Sequence, residues 1–192
     1  MEPISSIKRF AKTNAVPILK DDGINFICEY IKEHNVKRVL EIGTAIGYSA
    51  IEFASVSDDV FVSTIEIDLE RYTEAVKNIN KLDLMDRITI YLGDALTTDI
   101  SGEFDLIFID AAKAQYIKFF EKFKNSLAPG GVIISDNLSF HGMVEDLSLT
   151  HNYSTIKLVK KIRKYIDFLK ANTEFTTTFY QIGDGMSVSK KN

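Results

Sequence analysis

The sequence has few of the residues, and none of the runs, that mark several specialised classes of protein. One cysteine among 192 residues excludes an internal disulfide framework. No apolar run approaches the roughly 18 residues of a membrane-spanning helix, and the N-terminal segment has no apolar stretch of the signal-peptide type. With three prolines and ten glycines, the chain also has no low-complexity tract or flexible linker. We therefore expect a cytoplasmic protein that does not associate with a membrane.

The composition predicts one globular domain over residues 1–192, with residues 1–35 as an N-terminal helical cap. Hydrophobic residues make up 45% of the chain and charged residues 26%, which is enough apolar material for a core. The net charge of -4 argues against nonspecific binding of nucleic acid. A basic segment from Lys157 to Lys170 leaves contact with a particular RNA open, although the basic face of an amphipathic helix is more often simply solvated. Cys28 falls in an apolar helical stripe, where a structural role is expected.

Short β-branched runs alternate with helical patterns along the first two thirds of the chain. Helices are predicted over residues 21–34, 48–54, 70–81 and 114–127. Strands are predicted over residues 36–42, 59–67, 87–92, 104–110 and 131–136, the last after a turn at Pro129-Gly130. This alternation indicates βαβ units and a mainly parallel sheet that is covered by helices on both faces.

The last third of the chain follows a different pattern. A long amphipathic helix is predicted to turn five apolar residues inward: Ile156, Val159, Ile162, Ile166 and Leu169. The strands EFTTTFYQI and GMSVSKK follow and are joined through Gly183-Asp184, which predicts a hairpin. The fold class is therefore α/β, with a mainly parallel seven-stranded sheet that ends in a C-terminal antiparallel hairpin.

The first predicted strand ends in a glycine-containing turn, EIGTAIGYSA. Gly43 and Gly47 permit a tight turn and a close approach of a ligand to the backbone. Their spacing does not match the G-x-G-x-x-G fingerprint of dinucleotide-binding turns, which disfavours an NAD-dependent oxidoreductase. A cofactor without a pyrophosphate does not need the closely spaced glycines and is compatible with this turn.

Acidic residues lie at the ends of the next two strands. Glu66 lies 23 residues beyond Gly43, where an acid can accept hydrogen bonds from ribose hydroxyls. Asp94 and Ala95 follow the third strand, where a carboxylate can accept a hydrogen bond from an adenine amino group. Each acid alone is more often a solvated loop residue, whereas their recurrence at successive strand ends favours a nucleoside-binding edge.

The fourth and fifth strands also end in polar residues. Asp110 ends the segment FDLIFID, and the pair Asp136-Asn137 follows the fifth strand. Neighbouring strand ends bring two carboxylates and an amide oxygen together, and oxygen ligands suit Mg²⁺. An Asp-Asn pair by itself is a common turn. No zinc motif is present, because the three histidines are scattered along the chain: His34, His141 and His151.

The chain resembles the metal-dependent, S-adenosylmethionine (SAM)-dependent O-methyltransferases of the catechol and caffeoyl-CoA type. Five segments carry the resemblance, in the order EIGTAIGYSA, TIEID, LGDA, FIDAAKAQY and SDN, and it runs from about Val16 to the C-terminus. It implies a Rossmann-like class I SAM-methyltransferase fold, SAM as the methyl donor, Mg²⁺ and a homodimer.

The resemblance also implies roles for individual residues. The implied metal ligands are Asp110, Asp136 and Asn137. The implied catalytic residues are Lys113 and Asp110. The implied cofactor contacts are Leu19, Glu41, Gly43, Ser49, Glu66, Asp94, Ala95 and Asp110. Lys113 would accept the proton of the substrate hydroxyl or hold the oxyanion, unless it is a solvated residue in the first turn of a helix.

Within this family, NAVPIL near the start and YQIGDGMSVSKK near the end look most like the bacterial tRNA 5-hydroxyuridine methyltransferases. That subgroup implies methylation of the wobble base in the tRNA anticodon loop, which gives 5-methoxyuridine. The alternative substrate is a small catechol-like phenol, because both molecules offer two neighbouring oxygens to a metal. A nonenzymatic protein would bind SAM without Mg²⁺. Three residues could stack on a splayed base or simply cover the core: Phe140, His141 and Tyr153.

Overall fold

The computed structural model describes residues 2–192, with side chains from residue 4 onward, and contains a seven-stranded sheet. The strands are β1 (Arg38–Ile42), β2 (Phe61–Glu66), β3 (Ile88–Leu92), β4 (Phe104–Ile109), β5 (Leu127–Ser135), β6 (Phe175–Tyr180) and β7 (Met186–Lys191). Their order across the sheet is β3-β2-β1-β4-β5-β7-β6. Pairs among β1 to β5 are parallel, whereas β7 runs antiparallel to β5 and β6. The predicted α/β fold with a C-terminal antiparallel hairpin is confirmed.

Helices cover both faces of this sheet. They are α1 (Glu2–Thr13), α2 (Asp21–Glu33), α3 (Tyr48–Ala54), α4 (Leu69–Lys81), α5 (Tyr116–Phe123) and α6 (Tyr153–Ala171), with 3-10 turns at Lys113–Gln115, Lys124–Ser126 and Leu147–Leu149. Apolar residues of α1 to α4 join one hydrophobic cluster, and those of α5 and α6 join the cluster on the opposite face. None of these helices is both long and apolar enough to span a membrane.

Four consecutive residues of strand β4, Leu106 to Ile109, are apolar and buried. Leu106 and Phe108 belong to the cluster of α1 to α4, whereas Ile107 and Ile109 belong to the cluster of α5 and α6. Successive side chains of a strand point to opposite faces, so a strand that is covered on both faces has no solvent-facing position for a polar residue. The first polar residue after this run is Asp110, at the edge of the sheet.

The pairing register brings the ends of the central strands to one edge. Ile42 of β1 lies opposite Ile109 of β4 and Ile65 of β2, and Ile109 lies opposite Ser135 of β5. The order of the strands reverses between β1 and β4. Ligands of open α/β sheets bind at such a switch point, outside the carboxyl ends of the strands. Asp110 and the residue after Ser135 therefore meet at that position.

The predicted helix over residues 114–127 is wrong at its C-terminal end. Helix α5 covers only Tyr116–Phe123, between two 3-10 turns, and Leu127 already begins β5. Leu127 pairs with Phe104, and the register then shifts so that Leu106 pairs with Val132. The buried side chain of Leu127 joins the same hydrophobic cluster as Phe104. Pairing with β4 therefore ends the helix, and β5 starts earlier than the predicted 131–136.

The inward face of α6 also differs from its prediction. Tyr165 is buried beside Val159, Ile162 and Leu169, whereas Ile156 and Ile166 are only half-buried. The hydroxyl of Tyr165 forms a 2.7 Å hydrogen bond with Ser135 Oγ, so a polar group is satisfied inside the core. The other predicted elements are found with ends displaced by at most two residues.

Candidate active site

A cavity of about 510 Å³ opens at the carboxyl-terminal edge of the sheet, beside the switch point between β1 and β4. Its volume is within the range of small-molecule sites. The predicted site residues that line it are Leu19, Gly43, Ser49, Glu66, Asp94, Ala95, Asp110, Lys113, Asp136 and Asn137. The residues that follow five strands therefore meet in one cavity. Among the predicted residues, Glu41 alone does not line it.

Glu41 lies fully buried behind the cavity wall. Its carboxylate accepts a hydrogen bond from Ser49 Oγ and a second, of 2.5 Å, from Thr64 Oγ1. Burial raises the pKa of Glu41 from 4.5 to about 7, because a low-dielectric environment disfavours the charged form. Ser49 lines the cavity while Glu41 orients its hydroxyl. Glu41 therefore contacts Ser49, which lines the cavity, but does not line the cavity itself.

We expect Glu41→Gln to flatten part of the pH dependence of stability. A folded-state pKa above the unfolded value means that the native state binds the extra proton, so stability falls as the pH rises from 4.5 to about 7. Glutamine resembles the protonated acid, so the variant should gain stability relative to the wild type by up to about 1.4 kcal/mol per pH unit across that window. Urea unfolding at pH 5 and pH 8 measures this difference. An unchanged difference would contradict the assignment, and exposed Glu103→Gln is the control.

Gly43 connects β1 to the turn in a conformation that other residues avoid. Its φ is +104°, and a Cβ built on it would lie 2.2 Å from the backbone oxygen of Asp110. Its N–H donates a 3.0 Å hydrogen bond to Ile65 O. The turn after β1 is therefore packed against the end of β4 with no room for a side chain. This close approach keeps the turn after β1 and Asp110 at the end of β4 at a fixed separation.

The Glu66 carboxylate at the end of β2 is fixed by the backbone. Its Oε2 accepts from Ala45 N at 2.7 Å, and its Oε1 accepts from Ile67 N at 3.0 Å and Asp68 N at 2.9 Å. A carboxylate offers about four acceptor positions, so Oε2 retains one for a further donor. The side chain is buried and also lines the cavity. This arrangement fits a ribose hydroxyl.

The loop after β3, residues 93–99 (the β3 loop), is organised around Asp94. The carbonyl oxygen of Asp94 accepts from Thr97 N at 3.0 Å and Thr98 N at 2.8 Å. Its side-chain Oδ1 accepts from Leu96 N at 2.8 Å. Asp94 and the buried Ala95 both line the cavity. The loop thus presents one carboxylate oxygen and a small apolar side chain, which fits an adenine ring and its amino group.

Asp110, Asp136 and Asn137 form a compact group of polar side chains, called the acidic group below. Asn137 Nδ2 donates to Asp110 Oδ1 at 3.0 Å and to Asp136 Oδ2 at 2.7 Å. The other carboxylate oxygen, Asp136 Oδ1, is buried and has no hydrogen-bond partner among residues 2–192. Below this group, Tyr116 Oη donates to the backbone oxygen of Asp136 at 3.3 Å. The fold therefore holds the pair of carboxylates rigidly at the cavity wall.

The pKa values of both carboxyl groups, Asp110 and Asp136, are raised. Burial is the largest cause for both, and the neighbouring Asp110 raises the pKa of Asp136 further, to about 7. The pKa of Asp110 is also raised by burial and by Asp184, against the opposing effect of Lys113. Holding two carboxylate anions close together in a buried environment costs free energy. A cation bound between them offsets this cost.

The acidic group meets the chemical requirements of a divalent cation. No cluster of three or more His, Cys, Asp and Glu side chains suited to a metal ion occurs in the part of the chain that the structure describes. A cation would therefore depend on two carboxylates and on the amide of Asn137, turned so that Oδ1 rather than Nδ2 faces them, and this oxygen set suits Mg²⁺. The unpartnered Asp136 Oδ1 is the observation that supports this fit, since buried polar atoms normally have a partner.

Lys113 stands beside the acidic group in a 3-10 turn rather than in the first turn of a regular helix. Its Nζ lies 4.0 Å from Asp110 Oδ1, and its side chain is 18% exposed. The ammonium also lies 6.0 Å from the centroid of the Phe140 ring. These contacts place a cation at the cavity wall next to the candidate metal ligands. A substrate oxygen at the acidic group would be within reach of it.

Asp184 is a cavity residue that the sequence interpretation missed. It is buried, its Oδ1 accepts from His141 N at 2.7 Å, and its Oδ2 has no hydrogen-bond partner among residues 2–192. Lys20 Nζ approaches Asp184 Oδ1 at 3.8 Å. The sequence signal, Asp before Gly in a hairpin connection, indicated only a turn. The burial of this carboxylate depends on segments far apart in the chain, which no local pattern reveals.

The predicted stacking residues occupy different environments. His141 lines the cavity, whereas Phe140 and Tyr153 do not. Tyr153 is 70% exposed at the start of α6, with Lys157 Nζ 4.4 Å from its ring centroid. Of the remaining histidines, His34 stacks on Tyr30 with ring centroids 3.9 Å apart, and His151 is exposed outside the cavity.

Comparison with known proteins gives one consistent family. A profile of the O-methyltransferase family matches residues 5–192. A catechol O-methyltransferase from Niastella koreensis is 33% identical over 165 residues, covering 80% of this chain and 72% of the relative.

Two crystal structures extend the likeness to three dimensions. A Staphylococcus aureus protein assigned provisionally to the caffeoyl-CoA O-methyltransferases has a TM-score of 0.94 and 38% identity, covering 98% of this chain and 92% of that one. An O-methyltransferase from Bacillus cereus in complex with SAH has a TM-score of 0.86 and 25% identity, covering 100% of this chain and 91% of that one.

Proposed function

The chain belongs to the O-methyltransferase family and is a SAM-dependent enzyme, and we propose that it methylates one hydroxyl of a small phenol with two neighbouring oxygens. The observation that carries this proposal is the group of Asp110, Asp136 and Asn137 beside Lys113, in the same cavity as Glu66. The similarity to a catechol O-methyltransferase supports a phenolic substrate.

We place SAM at the ends of β1, β2 and β3. SAH is what SAM becomes after its methyl group has left, and the Bacillus cereus relative binds SAH. Glu66 would accept from the ribose, while Asp94 and Ala95 would hold the adenine. Asp110, which lies against the backbone of Gly43, would border the methionine end. The sulfonium methyl would then lie near the acidic group.

Asp110, Asp136 and Asn137 would hold Mg²⁺, which favours the ionised form of a bound phenol and fixes two adjacent oxygens. A phenol has a pKa near ~10, so little phenolate is present at neutral pH without help. Lys113 lies where its Nζ could accept the phenol proton as a neutral amine or donate a hydrogen bond to the phenolate as an ammonium. The strand ends would hold this oxygen in the same cavity as the methyl group.

A second candidate substrate is 5-hydroxyuridine in the tRNA anticodon loop, which the sequence interpretation preferred. The relatives support the phenol better. One surface favours the RNA: the exposed ring of Tyr153 lies beside Lys157, and α6 continues with further exposed lysines, Lys160, Lys161, Lys164 and Lys170. An exposed aromatic ring and a row of cations are suited to stacking on bases and contacting phosphates.

Methyl transfer to defined acceptors tests the proposal. Purified protein with SAM and Mg²⁺ would be offered catechol, caffeic acid, a phenol with a single hydroxyl, and tRNA that contains 5-hydroxyuridine, with products identified by mass spectrometry. The proposal expects methylation of the two catechols and none of the single hydroxyl. Exclusive formation of 5-methoxyuridine would favour the second candidate. SAM binding without transfer to any acceptor would contradict both.

Replacing Glu66 should weaken cofactor binding strongly. Hydrogen bonds to a charged acceptor contribute about 1.5–3 kcal/mol, so we expect Glu66→Ala to raise the Kd for SAM and SAH by about tenfold to a hundredfold. Calorimetry measures both constants. Glu70→Ala, an exposed acid in the first turn of α4, is the matched control. Unchanged SAM affinity in Glu66→Ala would remove Glu66 from the cofactor site.

A further inference from the structure

The side chain of Lys122 is hydrogen-bonded to the backbone of the β3 loop. It lies near the end of α5, and its Nζ donates to Ala95 O at 2.8 Å and to Thr98 O at 2.7 Å. The ammonium also lies 5.1 Å from the centroid of the Phe123 ring. No carboxylate of residues 2–192 forms an ion pair with it. A partly buried cation therefore has two backbone carbonyls as its main partners.

These two carbonyls belong to the loop that carries the adenine-facing residues. Asp94 organises the loop from within, through its carbonyl and Oδ1. Outside these internal bonds, Gly93 N donates to Glu66 O of β2 at 2.8 Å, and the buried side chain of Ala95 joins the hydrophobic cluster of α5 and α6. The two hydrogen bonds from Lys122 connect it to α5, a helix that packs against the sheet. Hydrogen bonds from a charged donor are shorter and stronger than neutral ones.

We propose that Lys122 is a positioning residue for the cofactor, because it fixes the loop that presents Asp94 and Ala95 to the adenine. The inference rests on the proposed cofactor contacts of these two residues. Lys122 does not line the cavity, so it would act only through the loop. The acidic group lies at the ends of β4 and β5, and its geometry does not depend on Lys122.

Calorimetry of Lys122→Met tests this role on the full chain without any need for turnover. Loss of the two charged hydrogen bonds lets the loop move, so the Kd for SAM and SAH should rise by about tenfold. The kcat at saturating SAM and the affinity for Mg²⁺ should stay within about twofold of the wild type. Lys122→Arg keeps a charged donor of similar reach and should recover most of the affinity. Lys118→Met, an exposed lysine on the same helix, is the matched control and should bind SAM normally.

Two results would overturn the proposal. One is a SAM affinity in Lys122→Met equal to that of Lys118→Met. The other is a parallel loss of SAM and Mg²⁺ affinity in both Lys122→Met and Lys122→Arg, which would indicate general damage to the fold. The Asp94→Ala variant separates this failure from failure of the proposed cofactor site. If Asp94→Ala binds SAM weakly while Lys122→Met binds it normally, the cofactor contact stands and the positioning role falls.

Discussion

Asp136→Asn is expected to lower kcat/KM for the phenol by at least about a thousandfold, which corresponds to about 4 kcal/mol of transition-state stabilisation. Asp136 is buried, and its Oδ1 has no partner among residues 2–192. Its Oδ2 is held by Asn137 Nδ2 at 2.7 Å. If Asp136 holds Mg²⁺ together with Asp110 and Asn137, an amide in its place removes one of only two carboxylates. Calorimetry should then show no measurable Mg²⁺ binding.

The stability of this variant distinguishes a functional carboxylate from a structural one. A buried carboxylate with an unsatisfied oxygen costs free energy in the absence of a cation. Without Mg²⁺, Asp136→Asn should therefore be at least as stable towards urea as the wild type, and Mg²⁺ should stabilise the wild type alone. Asp167→Asn, an exposed acid on α6, is the control and should leave activity and Mg²⁺ binding unchanged. Normal Mg²⁺ affinity in Asp136→Asn would refute the assigned metal site.

The residues at the strand ends could be predicted because strand periodicity and register determine their place. Residues 106–109 of β4 are apolar on both faces of the sheet, so the carboxylate of Asp110 was expected at the strand end, and parallel pairing then placed Asp136 at the same edge. The same reasoning placed Glu66 and Asp94 after their strands. What local patterns cannot supply is the partner of each side chain. The proximity of Asp110, Asp136 and Asn137 was therefore predictable, whereas the hydrogen bonds from Asn137 Nδ2 to both carboxylates were not.

The missed features depend on contacts between distant segments. Leu127 continues a helical pattern, yet pairing with Phe104 places it in a strand. Tyr165 is polar enough to suggest the surface, but Ser135, 30 residues away, satisfies its hydroxyl in the core. The sequence interpretation treated Asp184 as a turn residue and assigned no role to Lys122. In each case a long-range partner overrides the local preference, which is why these four residues needed the three-dimensional structure.

Lys113→Ala is expected to lower kcat by about a hundredfold to ten-thousandfold, the range for loss of a general base or a charge-stabilising donor. Its Nζ is 4.0 Å from Asp110 Oδ1, and its side chain is 18% exposed. Because Lys113 contacts the acidic group rather than the β3 loop, SAM affinity should stay within about twofold of the wild type. Initial-rate assays at saturating SAM measure kcat, and calorimetry measures the affinity for SAM. Lys118→Ala is the exposed control.

Two further measurements separate the possible roles of Lys113. Arginine keeps a positive charge but does not accept a proton in this pH range. If Lys113 stabilises the phenolate, Lys113→Arg should retain much of the activity that Lys113→Ala loses; if it accepts the proton, both variants should be equally slow. A nitrocatechol, which is already ionised at neutral pH, should be less sensitive to either change when proton transfer is the function lost. Turnover of catechol by Lys113→Ala at the wild-type rate would contradict both roles and leave the acidic group alone to activate the substrate.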